Sequence, residues 1–115
     1  MRFLSIYRCA EKAGPPTQEE IIRMGVLIEE QMKSGHLLAV EGCFPSVLGA
    51  RVRLTGGRLA VTDGPFTESK EIIGGFALLQ ASSKEEAIQL VKRFLEVVGG
   101  EGECELRQVC EGRAV

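Results

Sequence analysis

Apolar and polar positions alternate with two different periods along this chain, and the switches between them mark its elements. Residues 2 to 8, Arg-Phe-Leu-Ser-Ile-Tyr-Arg, set Phe3 and Tyr7 on one side of a strand and Leu4 and Ile6 on the other, so both faces are apolar. Pro15 and Pro16 make residues 11 to 16 a loop. Thr17-Gln18-Glu19-Glu20 is a capping box, and Ile21, Met24, Ile28 and Met32 then recur at helical steps, with Val26 and Leu27 widening the stripe and Glu29, Glu30 and Lys33 on the wet side. Gly35 ends this helix as a left-handed residue. Gly25 inside it serves either a close backbone contact or no purpose, as a tolerated weak position. His36 to Val40 reads as a short strand.

Residues 51 to 62 hold two alternating runs joined at Gly56-Gly57, the pattern of a two-residue hairpin. That register pairs Leu54 with Leu59 and Val52 with Val61 on a face suited to burial, and Arg53 with Ala60 and Arg51 with Thr62 on the other. Phe76 to Gln80 is a strand apolar on both sides. Ser83-Lys84-Glu85-Glu86 is a second capping box, opening a helix with Ala87, Ile88, Val91, Phe94, Leu95 and Val98 on one stripe and Gly99-Gly100 as its stop. Residues 103 to 109 close the chain as an edge strand.

The order strand, helix, strand, hairpin, strand, helix, strand predicts an α+β domain, a ferredoxin-like βαββαβ pattern with an inserted β-hairpin, both helices covering one sheet face. The first strand and the Phe76 strand are apolar on their other side as well. A second copy of the chain is expected to cover it, giving a homodimer.

Composition narrows the function classes. The 115 residues suit one domain spanning 1–115. No apolar run approaches the ~20 residues of a membrane span, and no leader pattern opens the chain, so a cytoplasmic protein without membrane association is expected. A net charge of −2, one tyrosine and no tryptophan argue against a nucleic-acid binder. Cys9, Cys43, Cys104 and Cys110 form no C-x-x-C pair and have one histidine, His36, for company, so no metal site or cofactor is expected and the thiols read as reduced and mostly buried. His36 follows a helix C-terminus, where a surface or dipole-facing role outweighs that of a base.

The candidate chemistry gathers at Val61-Thr62-Asp63-Gly64-Pro65-Phe66-Thr67-Glu68-Ser69-Lys70, which contains the single aspartate of the chain. Gly64 permits positive φ and Pro65 restricts the next φ, so Asp63 sits at a rigid turn. Two readings stand. In one, Asp63 caps the amides of Phe66 or Thr67 and Phe66 plugs the core. In the other, Asp63 is the catalytic or ligand-accepting group of a cleft to which Arg51, Arg53, Gly64, Pro65, Phe66 and Lys70 contribute, the cations holding an anionic part of a small polar ligand.

Asp63-Gly64-Pro65-Phe66, followed by Glu68, Lys70, Glu71 and Gly74-Gly75-Phe76, resembles the signature of the DGPF branch of the YCII-related domain family. The resemblance runs through the opening strand, Ser34-Gly35 to Gly42, and the closing strand. It implies a dimeric α/β-barrel fold, a His-Asp active site in the broader family, and proximity or fusion of some DGPF members to extracytoplasmic-function sigma factors, which makes a non-catalytic regulatory or interaction module the alternative to a small-molecule site. The histidine of that pair belongs in the first helix. Alignment through Gly35-His36-Leu37-Leu38 sets Met24 in its place, and a thioether exchanges no proton, so Asp63 is the residue that carries over.

Overall fold

A computed structural model describes residues 1–12 and 14–112. Its elements are β1 (Arg2–Cys9), α1 (Gln18–Lys33), β2 (Leu37–Gly42), a 3-10 turn (Ser46–Leu48), β3 (Ala50–Thr55), β4 (Arg58–Asp63), β5 (Ile72–Gln80), α2 (Lys84–Val98) and β6 (Glu103–Gln108). Four strands form one sheet in the order β2-β5-β1-β6, and β3 and β4 pair apart from it. Every pairing is antiparallel. This mixed α+β arrangement is compatible with the ferredoxin-like pattern read from the sequence.

Both helix starts follow from their caps. Thr17 Oγ1 accepts from Glu20 N at 3.1 Å while Glu20 Oε1 accepts from Thr17 N at 3.0 Å, completing the box. At α2 the box is displaced by one residue: Ser83 Oγ accepts from Glu86 N, but Glu86 Oε1 accepts from Ser82 N. Gly35, at φ +83°, turns the chain out of α1 and lets His36 N donate to Gln31 O at 3.1 Å. His36 then lies between Ser34 Oγ and Glu86 Oε1, at 2.8 and 3.6 Å.

The core lies between the helices and one sheet face. Phe3, Leu37, Leu79, Ala81 and Ala87 are buried, with Ile28 of α1, Leu90 and Val91 of α2, and Leu106 packed against them. The register places Leu4 opposite Leu78 and Ile6 opposite Phe76 on the reverse face. Phe76 is 42% exposed there, as the doubly apolar strand pattern anticipates for a single copy.

Two expectations are corrected. The buried stripe of α1 is centred on Leu27 and Gln31, with Met24 and Ile28 half-buried, whereas Ile21, Val26 and Met32 are exposed. Apolar residues surround much of this helix, so period alone did not orient it. Gly25 makes no close contact, since a Cβ there would meet nothing within 4 Å. The hairpin register and its two-glycine turn, with φ of +58° and +78°, form as read, but its apolar face is not buried within the chain: Val52, Leu54, Leu59 and Val61 are all exposed. β3 and β4 project as an arm, and the Cα radius of gyration is 15.9 Å, against roughly 13 Å for a compact domain of this length.

Candidate functional site

The Asp63 turn is built around a buried serine. Ser46, at the start of the 3-10 turn, is 7% exposed. Its Oγ donates to Glu11 Oε1 at 2.7 Å and accepts from Phe66 N at 3.1 Å, and its own N–H donates to Glu11 Oε2 at 2.6 Å. These bonds to Ser46 backbone and side chain hold the Glu11 carboxyl below its ordinary value. Gly64 lies against the same residue. A Cβ on Gly64 would stand 1.7 Å from the Ser46 carbonyl oxygen, so only glycine permits the approach, and Gly64 N donates to Gly49 O at 2.9 Å. The Gly64-Pro65 peptide is cis.

Phe66 is half-buried beside Gly49, and the Arg51 guanidinium lies 3.8 Å above its ring centroid. Arg51 Nη1 donates to Glu68 Oε1 at 2.6 Å and Nη2 to Ser69 Oγ at 3.1 Å. The Glu68 carboxyl is held low by its own backbone amide first and by Arg51 next.

Asp63 itself is exposed, and its carboxylate enters no hydrogen bond or ion pair among the described residues. The capping geometry is therefore absent: the Phe66 amide belongs to Ser46. Asp63 stands opposite Ala50, two positions beyond Val61, so strand alternation sets it on the apolar face with Val52, Leu54, Leu59 and Val61. Arg51 and Arg53 occupy the other face. The turn thus brings Gly64, Pro65, Phe66 and Arg51 together, but Arg51 is committed to Glu68, and neither Arg53 nor Lys70 is bonded to a described residue. Glu11 and Ser46, 35 residues apart, went unnoticed in the sequence, because a loop glutamate and a serine carry no periodic or motif signal.

A separate cavity of about 300 Å³ lies between the helices and the sheet, and Met24, Leu27, Val40, Ala77 and Val91 are among the side chains lining it. Asp63 does not reach it. Tyr7 does, and its hydroxyl is pushed up to about 12 by burial first and by Cys9 next; its ring meets that of Phe94 edge-on at 5.2 Å. Cys9 is buried and Cys104 half-buried, but Cys43 and Cys110 are exposed, so the thiols divide evenly instead of lying mostly inside. Among the described residues no cluster of histidine, cysteine, aspartate or glutamate has metal-holding geometry, and no helix is long and apolar enough to cross a membrane.

Comparison with known proteins places this chain in a family. An uncharacterized protein of Rhizobium meliloti (strain 1021) is 29% identical over 90 residues, covering 77% of this chain and 73% of that protein. The model of the YCII-related domain matches residues 1–111. The chain belongs to the YCII-related domain family.

Proposed function

We propose that this chain is a homodimeric protein of the DGPF branch, of the dimeric α/β-barrel type, that binds or transforms a small polar molecule at Asp63. The observation that carries this reading is the contrast within one turn. Ser46, Glu11, Arg51, Glu68 and the Phe66 amide are all engaged, and Asp63 is left as an exposed carboxylate on a braced backbone. A carboxylate without a protein partner on a braced backbone is open to accept a hydrogen bond from a ligand, or to act as a base. With Arg51 paired and Arg53 on the opposite face of the ribbon, the complementary ligand group is a donor or a cation, not the anion suggested by the run of arginines.

The dimer rests on area. Val52, Leu54, Leu59 and Val61 of the arm, with Ile73 and Phe76 of the outer sheet face, are between 42% and 74% exposed. Together they leave on the order of 600 Å² of apolar surface to water, close to the ~800 Å² that each partner contributes to a stable interface. A second copy covering the arm would bring its surface against the face that bears Asp63, shielding the carboxylate from water and sharpening its chemistry.

Asp63→Asn tests the reading. The exposed, unpaired side chain predicts a stability change within about 0.5 kcal/mol, together with loss of the ligand-induced rise in Tm that a metabolite panel produces with the parent protein. A variant that keeps every such rise, or that loses several kcal/mol without a binding phenotype, would overturn it.

A further inference from the structure

Gln31 is the one polar side chain of the buried stripe of α1, 9% exposed and lining the cavity between the helices and the sheet. No described residue bonds its amide; the hydrogen bonds that involve Gln31 use its backbone carbonyl. The amide atoms are not sealed off, since no buried side-chain nitrogen or oxygen among the described residues lacks a partner; they stay open to whatever occupies the space they line. The wall it faces is mainly aliphatic and aromatic, with Ser5, Tyr7 and three glycines among it, includes no lysine, arginine or histidine, and has Glu41 as its single carboxylate. An anion entering this space would find no counter-charge.

We infer that this cavity is a second binding site, for a neutral, mainly hydrocarbon molecule bearing one hydrogen-bonding group that the Gln31 amide reads. At about 300 Å³ it has roughly twice the volume of an apolar cavity that takes up benzene, which suits a two-ring aromatic or a medium-length chain. The carboxamide both donates and accepts, so a hydroxyl or a neutral carbonyl satisfies it equally. Asp63 lines no part of this space, and failure of either site leaves the other standing.

Calorimetric titration of the full chain with 2-naphthol, naphthalene and 2-naphthoate tests the inference. Saturable binding of 2-naphthol, at least fivefold tighter than naphthalene, with no binding of the naphthoate, is expected. Gln31→Leu should retain naphthalene and erase the preference for the naphthol. Ala77→Leu, which fills part of the space with a larger side chain, should abolish both. Labelled methionine methyls give a readout in the unaltered protein: on titration with 2-naphthol the Met24 resonance should shift, while those of the exposed Met1 and Met32 stay in place. Absence of saturable naphthol binding, an unchanged naphthol preference in Gln31→Leu, or equal shifts at all three methionines would overturn the assignment.

Discussion

At Gly64 the volume a side chain would occupy already belongs to the Ser46 carbonyl, 1.7 Å from where a Cβ would stand. Gly64→Ala therefore has to move the 3-10 turn or the end of β4, and it should cost at least about 2 kcal/mol in urea unfolding. The positive φ expected at Gly64 is not adopted; the close backbone approach is what requires glycine there. Glu11 makes the same turn sensitive to acid. Its folded carboxyl lies below its ordinary value because Ser46 donates to the charged form from backbone and hydroxyl. A depressed acid contributes stability that is complete above the unfolded value of about 4.3, and this contribution is lost as pH falls through the lower folded value. Glu20, Glu68 and Glu105 are depressed too and act with the same sign. Glu11→Gln should lower stability at neutral pH and flatten the acid limb of a stability-versus-pH curve; an unchanged limb would show that the brace contributes nothing.

Among the elements, α1 shows what periodicity can and cannot tell. Its start at Thr17 and its stop at Gly35 were legible because caps are chemistry between residues three or four apart. Its facing was not, since Ile21, Ile22, Val26 and Met32 are apolar and exposed. A polar residue, Gln31, takes the inward position. Gly25 lies on open surface in this helix, so Gly25→Ala should stabilise the protein by about 1 kcal/mol in thermal or urea unfolding. The hairpin is the opposite case. Its register, turn and paired residues were all readable from alternation and Gly56-Gly57, yet the burial expected for its apolar face is missing from the single chain.

For the whole molecule, the projecting arm and the half-bare outer sheet face are the apolar surfaces that the proposed homodimer would cover. Leu54 is 67% exposed, so Leu54→Lys should leave the isolated chain folded. In the proposed homodimer the same substitution puts a charge into apolar contact, and light scattering at micromolar concentration should show the mass fall from two copies toward one. A parent protein that is already monomeric would remove the homodimer and, with it, the shielding of Asp63.

Strand and helix order, both N-caps, the Gly35 stop and the hairpin register were settled by residues within about four positions of each other, where steric and hydrogen-bonding preferences act without knowledge of the rest of the chain. The sequence likewise singles out Asp63-Gly64-Pro65-Phe66, as a lone aspartate beside glycine and proline, and its role stays a proposal. Three things required the assembled chain. Ser46 Oγ, itself held by Glu11 from 35 residues away, takes the Phe66 amide that one of the two readings gave to Asp63. Strand alternation through a hairpin that leaves the body separates Asp63 from the arginines. Packing of α1 against α2 and the sheet turns Gln31 inward and leaves a cavity beside it. Each depends on which distant surfaces meet, and that depends on the sum of all the packing, which no local window of sequence contains.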